Sequence, residues 1–303
     1  MIALWIPVTI AAAFLQNLRS AMQKSLKGRL STAGAAYARF LYAWPFALLF
    51  VMGLRGIGGY QTPPPNPAFL LWCALGGLAQ ILFTVVLLWM FSFRSFAVGT
   101  TFSKLEVVLI AVLGAALLGD TVGPLAGVAI MIGAAGTLLL AATEARLSFR
   151  GLVAGLSEKA TAVGLLCAAL LGASVVCFRA AALALNGPDF LMAAGYALLI
   201  SLLMQTVMMG AWFAIFDRAE LSRVLLEWRR AAPVGLVAML CSACWFTAFT
   251  LQNAAYVRAL GQVELVFTFI ASVFVFRERI RASELLGVGL VVLAILLILL
   301  SGA

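Results

Sequence analysis

Long apolar runs alternate with short polar segments along the whole chain. A helix needs about twenty apolar residues to cross the hydrocarbon core of a bilayer, and the runs reach that length. The pattern therefore predicts ten transmembrane helices: Ile2–Met22, Thr32–Leu54, Ala68–Phe91, Phe96–Leu118, Val122–Ala142, Thr161–Leu185, Phe190–Phe216, Pro233–Gln252, Tyr256–Phe276 and Ser283–Leu300.

Polar and helix-breaking residues divide the chain at its middle. The Gly- and Pro-rich residues 56–67 cannot continue a helix, and residues 186–189 form a turn. The longest polar connection between the middle spans is residues 143–159. We therefore predict a first five-helix unit over residues 1–142, a connecting loop over 143–159 and a second five-helix unit over 160–303.

The two predicted units carry similar residues in the same order. A shift of 158 residues places Glu106 over Glu264, and it also places Asp120 over Glu278 and Thr84 over Ser242. Each unit has an odd number of spans, so the second unit enters the membrane in the opposite orientation to the first. Inverted repeats of this kind describe many secondary transporters. The prediction is an all-α integral membrane protein with ten transmembrane helices in two inverted five-helix repeats.

Composition supports a membrane protein and excludes several other classes. Apolar residues make up 65% of the chain and charged residues 10%, with a mean hydropathy of +1.13, so a water-facing exterior would be apolar. Histidine is absent, which excludes histidine-based metal sites and general bases. The five cysteines lie inside apolar runs and predict neither disulfides nor metal ligands. The net charge of +9 is spread between the runs, which argues against nucleic-acid binding.

Two glutamates fall near the predicted bilayer centre. Glu106 lies about eleven residues into the fourth span, roughly 16 Å from either membrane face, and Glu264 takes the corresponding position in the ninth span. A carboxylate at that depth is costly unless it is protonated, paired or hydrated. One alternative is that both couple transport to protons or bind a substrate cation. The other is that each caps backbone groups or pairs with a neighbouring arginine or lysine.

Polar residues at similar depth are the candidates for substrate binding. They are Gln16, Arg39, Gln80, Thr84, Lys104, Gln205, Ser242 and Trp245. The structural alternative remains open for each of them, because such side chains also join helices by hydrogen bonds, anchor a helix or fill a core. Arg19 and Arg179 lie nearer to span ends and are expected to extend toward the interface.

Several short segments resemble the drug/metabolite transporter superfamily, and its EamA-type members in particular. They are residues 38–43, the Leu105–Glu106 and Val263–Glu264 elements, and the acidic turn residues Asp120 and Glu278. The chain differs at Val107 and Leu265, where such proteins often carry proline. The resemblance implies a ten-helix carrier that exports or exchanges metabolites or drugs, with both chain ends inside. The Lys and Arg count gives the opposite orientation, because the side predicted to be external holds only Arg55 and Arg258.

The predicted function is secondary transport across a bacterial inner membrane. Small metabolites, amino-acid-like or amphipathic, would move by alternating access coupled to protons or to exchange, with export as the expected direction. An uncoupled channel or lipid scramblase is the alternative, and a membrane-embedded enzyme is less favoured because no catalytic constellation is visible. We expect no cofactor, no nucleic acid, a small-molecule substrate, lipid contacts, and a monomer or homodimer.

Overall fold

The computed structural model describes residues 4–26, 28–147, 151, 154–187, 189–274 and 281–301, and within them the chain is helical without strands. Outside these residues lies Glu278, the predicted counterpart of Asp120. The elements in chain order are α1 (Trp5–Lys24), α2 (Thr32–Leu41), α3 (Trp44–Gly56), α4 (Pro67–Met90), α5 (Phe96–Phe102), a 3-10 turn (Ser103–Leu105), α6 (Glu106–Leu118), α7 (Pro124–Glu144), α8 (Lys159–Ala184), α9 (Phe190–Phe216), α10 (Arg218–Leu226), α11 (Trp228–Leu251), α12 (Ala254–Gly261), α13 (Val263–Phe274) and α14 (Ala282–Leu300).

Nine helical segments of the described chain are long and apolar enough to cross a membrane. They are Thr32–Gly56, Pro67–Met90, Phe96–Leu118, Pro124–Glu144, Lys159–Ala184, Phe190–Phe216, Trp228–Leu251, Ala254–Phe274 and Ala282–Leu300. A multi-pass membrane protein is thereby confirmed. The 20-residue helix α1 is not among the nine, since Gln16, Asn17 and Arg19 make its second half polar. The tenth span and the inverted repeat stay predictions.

Three predicted spans are each divided into two helices. The second span pauses between Leu41 and Trp44, where Pro45 in the first turn of α3 has no N–H to donate to the preceding turn. The fourth span changes to a 3-10 turn just before Glu106, and the ninth pauses at Gln262 just before α13. Neither of these two breaks contains a proline.

One short helix was not anticipated from the hydropathy pattern. The sequence placed the start of the eighth span at Pro233, but α11 begins at Trp228, five residues earlier, and the amphipathic α10 precedes it. Helix α10 is too short and too polar to count as a span. Its presence explains how the chain reaches α11 without a long loop.

Buried and paired acids attach α10 to the start of α2. Glu220 is only 2% exposed, and its carboxylate accepts the Ser31 N–H at 2.6 Å and a guanidinium N–H of Arg223 at 2.9 Å. Just beyond α10, Glu227 binds Arg230 at 2.9 Å and Arg29 at 3.2 Å. These guanidiniums, Arg230 foremost, hold the pKa of Glu227 below its usual value. Charged contacts therefore fix the amphipathic helix in place.

The helices form two compact units, and neither is one half of the sequence. Unit 1 comprises Met1–Ile81 and Cys177–Leu251, and unit 2 comprises Leu82–Val176 and Gln252–Ala303. Helices α4 and α8 each contribute residues to both units. The sequence divides the chain into residues 1–142 and 160–303 because of a predicted internal repeat. Compact units do not test such a repeat, so this division stays a prediction.

Glycines allow a close contact between helices α7 and α14 in unit 2. A Cβ added to Gly136 on α7 would lie 2.9 Å from the Gly287 carbonyl oxygen on α14 and 2.9 Å from the Leu290 Cβ. Small residues let helix backbones approach closely in membranes, where packing rather than water exclusion drives association. Gly289, two residues beyond Gly287, has open space around it and does not share this role.

We expect Gly136→Ala to destabilise unit 2, because the added methyl group overpacks the contact between α7 and α14. Overpacking typically costs about 1–3 kcal/mol. The matched control is Gly127→Ala on the same helix, where nothing lies within 4 Å of the added Cβ. Thermal unfolding of the purified protein in detergent measures both. Equal melting temperatures for the two variants would contradict the proposed close contact.

Candidate functional site

An ion pair inside unit 2 occupies one of the helix breaks. The guanidinium of Arg258 on α12 donates to a carboxylate oxygen of Glu106, the first residue of α6. The side chains are only 13% and 15% exposed, respectively. Each group supplies the counter-charge that the other requires at this depth. The carboxylate also stands at the N-terminus of α6, where the helix dipole favours negative charge.

Hydrogen bonds at the start of α12 position Arg258. Asn253 caps this helix by accepting the Ala255 N–H at 2.9 Å. The Tyr256 hydroxyl accepts the Gly123 N–H at 3.0 Å, which ties the same helix to the turn between α6 and α7. These contacts hold the cation-bearing helix against the segment that carries Glu106.

The structure pairs Glu106 with an arginine, as in the second of the two alternatives raised by the sequence. Arg258 itself was not anticipated as the partner, because the charge count assigned it to a loop. It lies instead in the second turn of α12, inside the membrane-length segment Ala254–Phe274. It is the only lysine or arginine in that segment, and this isolation was the available signal. If Arg258 is not counted as a loop residue, Arg55 is the one cation left on the side that the Lys and Arg count predicts to be external.

The other predicted residues of unit 2 lie on three different segments. Glu264 lies half-buried in the first turn of α13, immediately after the break at Gln262. Lys104 lies exposed on the 3-10 turn and makes no ion pair with any described residue. Thr84 is half-buried on the part of α4 that belongs to unit 2. The predicted coupling role of Glu264 stays a prediction.

In unit 1 the predicted binding residues form two hydrogen-bonded pairs. The indole N–H of Trp245 on α11 donates to Gln16 on α1 at 3.0 Å, and the Gln205 amide on α9 donates to Gln80 on α4 at 2.7 Å. Both pairs join different helices, as expected for polar groups in a membrane. Trp245 is 7% exposed and stacks on Phe249, so it also fills the core.

Arginine side chains in unit 1 have contrasting environments. Arg179 turns into the bundle and donates to the Phe249 carbonyl in the last turn of α11, rather than extending toward the interface. Arg39 lies over the ring of Phe40, 4.6 Å from its centroid. Ser242 is half-buried on α11. In the described part of the chain, no three metal-ligating side chains lie together.

Comparison with known proteins identifies the second half of the chain. The sequence profile of the EamA-like transporter family matches residues 159–300, from the first residue of α8 to the last of α14. Residues 159–300 are thus similar to EamA-like transporters. The match confirms the resemblance to the drug/metabolite transporters and suggests a membrane transporter.

Solved structures share the fold. A crystal structure described only as that of a "protein" matches with a TM-score of 0.69, covering 98% of this chain and 97% of its own at 17% identity. At that identity the likeness shows the fold alone. No curated protein sequence matches the chain. Function therefore has to be argued from the EamA domain and the site.

We expect Glu106→Gln and Arg258→Gln each to destabilise the protein by about 3–5 kcal/mol, because each leaves one buried charge uncompensated. The double variant should lose less than the sum of the two, since it removes both charges together. Detergent-induced unfolding of the four proteins measures the coupling energy. Strictly additive losses would show that the two side chains do not stabilise each other.

Proposed function

We propose that the chain is a secondary active transporter that moves small metabolites across a bacterial inner membrane. The substrates are amino-acid-like or amphipathic compounds, the direction is export, and alternating access is driven by protons or exchange. The observation that carries the proposal is the match of residues 159–300 to EamA-like transporters. The nine membrane-length segments of the described chain agree with it.

The ion pair supplies a mechanism for coupling. When Glu106 takes up a proton, its carboxyl group no longer offers Arg258 a negative charge, at a depth where charge pairing matters. The resulting electrostatic penalty favours a conformation in which Arg258 finds another partner or water. Proton binding at one carboxylate would thereby change the packing of α12 against α6.

The helix breaks give this switch a place to act. The 3-10 turn before Glu106 and the pause at Gln262 before Glu264 interrupt the regular hydrogen-bond ladders of two spans. A broken helix changes its bend with fewer hydrogen bonds to rearrange than a continuous one. Discontinuous helices of this kind hold the substrate and ion sites of many secondary transporters.

The proposal is tested in proteoliposomes with compounds selected by a thermal-shift screen of amino acids, polyamines, nucleosides and organic acids. A pH gradient should accelerate uptake of the selected compound by wild-type protein. Glu106→Gln should lower the gradient-driven rate at least tenfold, because the variant cannot take up the proton. Glu144→Gln, an exposed acid at the end of α7, is the matched control.

Two outcomes would reject parts of the proposal. Gradient-driven uptake that is unchanged in both Glu106→Gln and Glu264→Gln would remove proton coupling. Flux that follows the concentration gradient alone, without counterflow, would favour the uncoupled channel. Every variant must remain folded at the assay temperature, as thermal unfolding in lipid measures, before its rate is interpreted.

A further inference from the structure

Two arginines in unit 1 lie near each other without a counter-charge. Arg19 is on α1 and Arg39 on α2, both helices pack against α11, and the positive charge of Arg19 acts on Arg39. The Nε of Arg19 is buried without a hydrogen-bond partner among the described residues. Arg39 contacts the Phe40 ring and forms no ion pair within the described chain. Two like charges thus lie in unit 1 without an ion-pair partner in the described chain.

Their depth follows from the chain geometry. Helix α1 ends at Lys24 and α2 begins at Thr32, so these two ends lie on the same side of the bundle. At 1.5 Å per residue, Arg19 lies about 7.5 Å from the end of α1, and Arg39 about 10 Å from the start of α2. Both guanidiniums therefore reach a similar level below the same membrane face.

Unit 1 contains no acid in its described membrane segments that could neutralise them. Its described acids are Asp189, Asp217, Glu220 and Glu227, and all four lie outside the membrane-length helices. Two of them already bind other arginines near α10. An uncompensated charge at membrane depth costs several kcal/mol, and two adjacent cations add their mutual repulsion.

The other arginines of the membrane segments differ in this respect. Arg258 binds Glu106 in unit 2, and Arg179 binds the Phe249 carbonyl in unit 1. Arg19 and Arg39 are both half-buried. Helix α11 packs against both α1 and α2 and brings Cys241 near Arg39. One turn further along α11 is Trp245, which donates to Gln16 on α1.

We infer that Arg19 and Arg39 bind the oxyanion group of the transported substrate, so that the substrate is an organic anion bearing a carboxylate or a phosphate. The guanidinium forks match the geometry of either group and bind it through two parallel hydrogen bonds. The anion supplies the counter-charge that unit 1 lacks. This inference rests on the proposed function and names its substrate class.

Benzoate, phenyl phosphate and uncharged benzamide are matched probes of the site. Their affinities are measured by thermal shift on the full chain in detergent at constant ionic strength. We expect benzoate or phenyl phosphate to raise the melting temperature of the wild type and benzamide to leave it unchanged. The stronger of the two anions distinguishes a carboxylate site from a phosphate site.

Variants assign the effect to the two arginines. Arg39→Gln and Arg19→Gln should each weaken anion binding at least tenfold, and Arg39→Lys should bind with intermediate affinity because it keeps the charge without the fork. Arg55→Gln, an exposed arginine at the end of α3, should bind as the wild type does.

The unliganded variants provide a second, independent measurement. Without anion, both glutamine variants should melt at or above the wild-type temperature, because removing one cation relieves the repulsion. A lower melting temperature in both would overturn the claim of an uncompensated pair. Equal effects of benzoate, benzamide and chloride, or undiminished binding by Arg39→Gln, would overturn the anion site. Since binding in detergent requires no transport, these results are separate from those of the counterflow assay.

Discussion

A charged group at membrane depth must find a counter-charge, a hydrogen-bond acceptor or water, and this requirement organises the polar residues of the chain. In unit 2 the Arg258 guanidinium meets the Glu106 carboxylate. In unit 1 the Arg179 guanidinium meets a carbonyl in the last turn of α11, where the helix dipole favours a cation. Each contact is available because a helix ends or breaks there. Helix ends therefore act as the polar sites of a largely apolar protein.

The same requirement explains why some breaks occur without proline. Proline interrupts a helix by removing a donor, and Pro45 does so at the start of α3. The break before Glu106 has Val107 in the position where proline was expected from the family resemblance. A carboxylate at the start of α6 gains from the unpaired N–H groups of a new helix and from Arg258, and these interactions favour ending one helix and beginning another. The similar break before Glu264 agrees with, but does not establish, the predicted repeat.

Much of the helix pattern was predictable because hydropathy depends on local composition. Phe96–Leu118 and Phe190–Phe216 were predicted with the bounds that the structure gives. The interruptions of the second, fourth and ninth spans were not, since each divided span still has the length and hydropathy of a membrane-crossing segment. Helix α10 was missed for the opposite reason, because its polar face hides it from a search for apolar runs. Arg258 was misplaced because pairing depends on which helices meet, and composition contains no such information.

The two units differ in how their charges are balanced, and this difference bears on function. Unit 2 contains both members of an ion pair, and that pair changes its charge state by exchanging a proton or a partner. Unit 1 has Arg19 on α1 and Arg39 on α2 and no acid in its described membrane segments. A protein selected only for stability would replace such cations with apolar residues, because a well-packed apolar side chain costs less at that depth. Their presence is therefore best explained by an anion that comes and goes.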